Sequence, residues 1–131
     1  MGDGPLTRQA RGPVWIDGAH NPQAAIEVAR SLPPEIGALV TGILANKDAA
    51  GVLAPLVAAG IDRVVALPVP GHPHHGPAEL ANLAAQQGAR RTETADDLPS
   101  ALAKLGDTGV LIAGSLYLAG DALRLNDELP D

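Results

Sequence analysis

Short aliphatic runs, each giving way to a segment of helical period, set the strongest limit on what this chain folds into. Val14-Trp15-Ile16, Ala38-Leu39-Val40-Thr41, Arg63 to Leu67 and Val110-Leu111-Ile112-Ala113 read as strands, and Ala89 to Thr92 marks a further short one. The second run is apolar on both faces, as a central parallel strand is. After the first strand, Asn21 is placed to cap a helix. Pro22 follows in its first turn, where a missing N–H is harmless. Ala25, Val28, Ala29 and Leu32 then share one face, until Pro33-Pro34 stops the helix. Beyond Asp48, the residues Ala49, Val52, Leu53, Leu56 and Val57 keep helical spacing up to Gly60, and Pro55 predicts a kink on the way. Leu80, Leu83 and Ala84 mark a third helix ending at Gly88. Asp97-Leu98-Pro99 opens a fourth with Leu102 and Leu105, and Gly114-Ser115 turns into a fifth using Leu116, Ala119 and Leu123.

Alternation of this kind implies βαβ units. The expected fold is α/β: a Rossmann-like, mostly parallel sheet of five to six strands with helices on both faces, in one domain spanning residues 1–131. Residues 1–12 are expected to form a flexible lead-in, and the polar tail from Asn126 to Asp131 is expected to fray. Hydrophobic residues are 46% of the chain but aromatics only 2%, so the core is Ala, Leu, Val and Ile. Small aliphatic side chains suit helix-on-sheet packing. A chain of 131 residues buries roughly two-thirds of its unfolded surface, enough for a core.

Composition also removes function classes. A net charge of −6 argues against a nucleic-acid partner, which selects a basic patch. It does not argue against ATP, whose phosphates are held by backbone N–H groups and a metal ion. Without cysteine there are no disulfides or thiolate metal sites. The start has no basic region followed by an apolar run, and no apolar stretch is long enough to span a bilayer. The expectation is a cytoplasmic protein without a membrane partner. No P-loop, no Gly-x-Gly-x-x-Gly after the first strand and no Gly-x-Ser-x-Gly elbow occurs.

The most informative segment is Asp17-Gly18-Ala19-His20-Asn21-Pro22, where a strand ends and a helix begins. In open α/β sheets ligands bind outside the carboxyl ends of strands. Gly18 permits a tight turn, and the free N–H groups and positive dipole end of the helix suit an anion. Two readings of the side chains stay open. In one, Asp17 accepts hydrogen bonds from ribose hydroxyls or an adenine amino group, and His20 donates to a phosphate. In the other, Asp17 caps the helix, Asn21 shapes the turn and His20 is merely exposed. The loop around His72, His74 and His75 invites a metal-site reading. It contains no carboxylate, however, and neighbouring histidines on one loop rarely converge, so a solvated loop and no metal site are expected.

Three segments in register carry a resemblance. Asp17 to Pro22, Gly42-Ile43-Leu44-Ala45-Asn46-Lys47-Asp48 and Gly114-Ser115-Leu116-Tyr117-Leu118-Ala119-Gly120 resemble, in order and spacing, the C-terminal domain of folylpolyglutamate and dihydrofolate synthases, within the Mur ligase group. Gly18 stands where the wider group more often has an aromatic residue, which favours the folate branch. The resemblance implies an ATP-dependent ligase that adds glutamate to dihydropteroate or tetrahydrofolate through an acyl phosphate. It implies that Asp17, Gly18, His20 and Asn21 contribute to the ATP site. It makes Lys47 and Ser115 candidates for holding glutamate carboxylates, against the plainer readings of a solvated lysine and a helix-capping serine. The P-loop, the Mg²⁺ ligands and most of the folate site are implied to lie in an N-terminal domain outside this chain, so the chain alone is not expected to catalyse. The family's ATP-site arginine is not carried over: Arg8 and Arg11 lack its usual context. Two alternatives remain: a peptidoglycan-precursor or cyanophycin-type ligase sharing this domain, and a non-catalytic α/β binding module. A receiver-like module needs clustered acids at strand ends, where only Asp17 qualifies.

Overall fold

The computed structural model describes residue 2 and residues 4–127. Among them, five parallel strands form one sheet in the order β1-β5-β2-β3-β4. The strands are β1 (Val14–Ile16), β2 (Ile36–Thr41), β3 (Arg63–Ala66), β4 (Arg91–Thr94) and β5 (Gly109–Ala113). The helices between and after them are α1 (Pro22–Ser31), α2 (Ala49–Ala58), α3 (Pro77–Gln86), α4 (Leu98–Leu105) and α5 (Leu116–Leu125). The expected α/β sheet with helices on both faces is therefore present, with five strands. None of the described helices is long and apolar enough to cross a membrane.

The faces follow from the two-residue period of a strand. Leu39, Val64, Ala66, Leu111 and Ala113 point to one side and pack on α1, α2 and α3 through Ala25, Val52, Leu53, Leu56 and Leu80. Their neighbours Ala38, Val40, Val65, Val110 and Ile112 point to the other side and pack on α4 and α5 through Leu98, Leu102, Leu105, Leu118 and Ala122. Strands buried on both faces need continuous apolar sequence, which is what β2 and β5 have.

Several expectations shift on contact with the structure. α2 runs through Pro55. Val52, Leu53 and Leu56 are fully buried on either side of it. Each such side chain contributes roughly 1.5–3 kcal/mol, together more than the roughly 3 kcal/mol an interior proline costs. β4 lies two residues later than predicted because Ala89 is consumed in ending α3. Its N–H donates to Ala84 O at 3.0 Å and that of Gly88 to Ala85 O at 3.0 Å, with Gly88 at φ 110°. This is the closure a left-handed glycine gives a helix C-terminus. The strand then formed, Arg-Thr-Glu-Thr, is polar and carries no apolar run to read.

α5 buries Leu118 and Ala122 rather than the predicted Leu116 face, and Leu116 is 61% exposed. The Ser115 cap sets the phase of that helix. The lead-in is anchored where it is described: Leu6 is buried, Thr7–Gln9 form a 3₁₀ turn, and Asn126 Oδ1 accepts from the Leu6 and Thr7 N–H groups at 3.1 and 3.0 Å. Asn126 is itself buried rather than frayed, whereas the tail beyond Asp127 lies outside the described residues.

Candidate functional site

The helices after β1 and β2 pack on one face of the sheet, and the helix after β5, the strand between them, packs on the other. The connections leaving these three neighbouring carboxyl ends therefore diverge and open a crevice. This is the topological switch point at which open α/β sheets bind ligands.

Asp17 enters the crevice as the first residue past β1, its N–H still in the sheet by donating to Ile112 O at 3.0 Å. Its Oδ1 accepts from the Ala19 N–H at 2.8 Å, which folds the chain back, and its second carboxylate oxygen takes no hydrogen bond among the described residues. Asp17 thus closes a turn and does not cap the helix. Asn21 does that, with Oδ1 accepting from the Ala24 N–H at 2.9 Å. His20 is half-buried and its ring has no partner among the described residues. Gly18 is not in a left-handed conformation. A Cβ there would lie 2.5 Å from Leu116 Cδ2, so the exposed Leu116 side chain lies over the β1–α1 turn and would have to turn aside for a larger residue.

Gly114 locks the three strand ends together. It has φ 121°, its N–H donates to Ala19 O at 2.8 Å, and a Cβ on it would collide with Thr41 Oγ1. Thr41 ends β2, is wholly buried, and its hydroxyl has no partner among the described residues. Sequence reading passed over Thr41 because a threonine closing an apolar strand looks like any β-branched strand residue.

Of the two candidates for a substrate carboxylate, Ser115 is 1% exposed, and its Oγ accepts from the Tyr117 and Leu118 N–H groups at 3.1 and 3.3 Å. It is the α5 cap, and its hydroxyl does not face the crevice openly. Lys47 is half-buried on a turn closed by its own N–H donating to Leu44 O at 3.0 Å. Its ammonium has no partner among the described residues. The next residue, Asp48, caps α2 by accepting from the Gly51 N–H at 2.9 Å. Gly51 lies against Pro22, since a Cβ there would be 2.7 Å from the Pro22 ring. The amino ends of α1 and α2 are therefore side by side at this edge. The sheet thus brings Asp17, His20, Asn21 and Lys47 to one rim with side-chain atoms unspent, and buries Ser115 behind them.

The histidine loop is not the solvated loop expected. His74 forms an antiparallel bridge with Leu44, His75 Nε2 lies 2.9 Å from Lys47 O, and the His72 ring stacks on Tyr117 with centroids 3.7 Å apart. The three rings have different partners, and among the described residues no three His, Asp or Glu side chains are grouped to hold a metal ion. A cleft of about 430 Å³ lies beside this loop, between α4 and α5, lined among others by Val69, His72, Asp97, Tyr117 and Arg124. It includes none of Asp17, Gly18, His20, Asn21, Lys47 and Ser115.

Comparison with known proteins agrees with this architecture. The family model described as dihydrofolate synthetase, C-terminal domain, matches residues 6–125. The folylpolyglutamate synthase of Lacticaseibacillus casei is 36% identical over 109 residues, covering 81% of this chain and 25% of that protein. A probable dihydrofolate synthetase of Schizosaccharomyces pombe is 34% identical over 129 residues, covering 86% of this chain and 31% of that protein. Among solved structures, Mycobacterium tuberculosis folylpolyglutamate synthase complexed with ADP and AMPPCP superposes with a TM-score of 0.80 at 27% identity, covering all of this chain and 34% of that one. The chain spans about a quarter to a third of the length of these relatives.

Proposed function

The chain belongs to the dihydrofolate synthetase C-terminal domain family, and we propose that it is the nucleotide-closing part of an ATP-dependent ligase that joins glutamate to a pteroate or folate carboxylate. The observation that carries this reading is the state of the β1–α1 turn. A hydrogen-bonded turn at the switch point holds Asp17 with one carboxylate oxygen spent on structure, next to a capped helix amino end, and among the described residues its other oxygen and the His20 ring have no partner.

In the proposed reaction the acceptor carboxylate attacks the γ-phosphorus of ATP, and the bond to the β–γ bridging oxygen breaks. The products are an acyl phosphate and ADP. The glutamate amine then attacks the acyl carbon, an amide forms, a proton leaves the nitrogen, and inorganic phosphate departs. This chain's share is to bind and to orient. The free oxygen of Asp17 accepts from ribose hydroxyls or the adenine amino group. His20 and the α1 amino end face the phosphates, where N–H groups and the helix dipole favour negative charge. Lys47 takes a carboxylate of the incoming glutamate. Ser115 acts indirectly, by fixing the amino end of α5. Closing this rim over a P-loop domain beyond the chain aligns the reactants and keeps water from the acyl phosphate. Mg²⁺ accompanying ATP would screen the phosphates. Among the described residues no three His, Asp or Glu side chains are grouped to hold it, and the reading assigns its ligands to that other domain.

The test is an amide chemical-shift titration of the 131-residue chain with Mg·ATP and then glutamate. We expect ATP to move Asp17 to Asn21 and Gly114, and Asp17→Ala to abolish those shifts while leaving the rest of the spectrum in place. Shifts confined to Val69, His72 and Tyr117 would move nucleotide binding to the α4–α5 cleft, and no shift at millimolar ATP would overturn a preformed half-site.

A further inference from the structure

The histidine loop has no part in the reaction as set out above, yet it is bonded to the turn that carries Lys47. Residues 73–75 hold residues 43–47 at three points. Ala45 N–H donates to Pro73 O at 3.0 Å and His75 N–H donates to Ile43 O at 2.9 Å, which together make the antiparallel bridge between Leu44 and His74. These two are backbone links and do not depend on pH. The third is the His75 side chain. Its Nε2 lies 2.9 Å from Lys47 O, and its Nδ1 lies 3.0 Å from Glu79 Oε1 on the first turn of α3.

Both of these partners are acceptors, a carbonyl and a carboxylate. A neutral imidazole has one N–H and satisfies only one of them, leaving a lone pair facing the other oxygen; imidazolium has two N–H groups and satisfies both. We propose that His75 is a positioning residue for Lys47, its doubly protonated ring tying the Lys47 carbonyl to Glu79 and so fixing the turn that presents the Lys47 ammonium at the crevice. The substrate role of Lys47 rests on the ligase reading above; the tie itself does not.

The remaining charged or titratable groups on the elements packed around the ring are Lys47 and Asp48 on the β2–α2 turn and His72 and His74 on its own loop. His74 Nδ1 is engaged with His72 O at 2.8 Å, His72 is stacked on Tyr117, and Asp48 caps α2. The His75 pKa is raised above the ordinary value of 6.5, first by the hydrogen bond to the Lys47 carbonyl and then, against the opposing effect of burial, by the bond to and charge of Glu79. A raised folded-state pKa contributes stability that is complete below the unfolded value and is lost as pH rises through the folded one. The tie is therefore complete below 6.5 and is lost as pH rises through the raised folded-state pKa.

The experiment is a pH titration of the 131-residue chain by NMR from about pH 5.5 to 9, following the His75 ring carbons and the Asp48 amide, whose nitrogen is bonded to the Lys47 carbonyl carbon. We expect ring and amide to share one midpoint above 6.5. The amide response should vanish in His75→Gln, and in Glu79→Gln the shared midpoint should fall towards the ordinary value. An Asp48 amide that ignores the ring, or a ring midpoint at or below 6.5, overturns the proposal. Should His75→Gln not fold, the wild-type pair of curves and Glu79→Gln decide alone. No substrate enters this measurement, so its failure removes the tie, whereas failure of the nucleotide titration removes the ligase reading.

Discussion

The amino and carboxyl ends of the sheet treat charge in opposite ways. At the amino end of β3, Arg63 Nε and Nη2 donate to Oε1 of Glu93, the third residue of β4, at 3.0 and 2.8 Å, and Nη2 also donates to Lys104 O at 2.9 Å. Both side chains are largely covered, 16% and 26% exposed, so this end consumes its charges in holding β4 to β3 and α4. At the carboxyl ends of β1, β5 and β2 the structural work falls to backbone bonds, caps and glycines. There the second oxygen of Asp17, the ring of His20 and the ammonium of Lys47 are left without partners among the described residues. A rim built this way keeps its shape without spending those groups. Stability and binding should then separate by position, and three substitutions test whether they do.

The largest effect is expected at Gly114. Alanine there meets both a φ of 121° and the Thr41 hydroxyl, with Gly42 O 3.0 Å away. Left-handed strain of about 1–3 kcal/mol adds to overpacking of about 1–3 kcal/mol. Gly114→Ala should therefore lose roughly 2–6 kcal/mol by urea unfolding, without any charge having been touched. A loss below about 1 kcal/mol would mean that the carboxyl rim relaxes easily and is no rigid scaffold.

Glu93→Gln should cost less, about 1–2 kcal/mol, because the amide oxygen in place of Oε1 still accepts both Arg63 bonds while the charge partner disappears. The informative readout is double. Stability should fall, and the ATP-induced shifts at Asp17 to Asn21 should be unchanged. Altered nucleotide shifts would show that the two ends of the sheet are coupled and that the division drawn above is wrong.

Much of this was legible in the sequence, for a physical reason. Buried parallel strands must be apolar on both faces, so β2 and β5 announced themselves, and the Asn21-Pro22, Asp97 and Ser115 caps fixed where α1, α4 and α5 begin. β4 did not, because a strand at the sheet edge can be polar when its neighbour supplies an ion pair. At the site, the turn carrying Asp17, Gly18, His20 and Asn21 was legible as a local motif. The contact of Gly18 with Leu116 was not, since the two lie almost a hundred positions apart along the chain. Ser115 had both readings open, and burial decides for the cap. His75 was read as part of a loop because nothing local reveals that its ring reaches a carbonyl 28 residues earlier.

The smallest effect is expected at Thr41, and its sign is what matters. The hydroxyl is fully buried beneath Gly114 with no partner among the described residues, whereas almost every buried polar group in a native structure is bonded. An unsatisfied hydroxyl costs about 1–3 kcal/mol, and valine nearly matches threonine in shape. If the hydroxyl is orphaned, Thr41→Val should raise stability by about 1 kcal/mol. That gain would also say why threonine is tolerated there: it lies under the meeting point of the β1, β2 and β5 ends, where Gly114 N–H reaches Ala19 O. A polar atom held at that junction is available if the rim shifts when a nucleotide binds. The matching expectation is that Thr41→Val weakens the ATP-induced shifts while strengthening the fold. If Thr41→Val instead destabilises the chain and leaves the nucleotide shifts alone, the hydroxyl already has a structural partner, and Thr41 belongs with Arg63 and Glu93 on the stabilising side of the comparison.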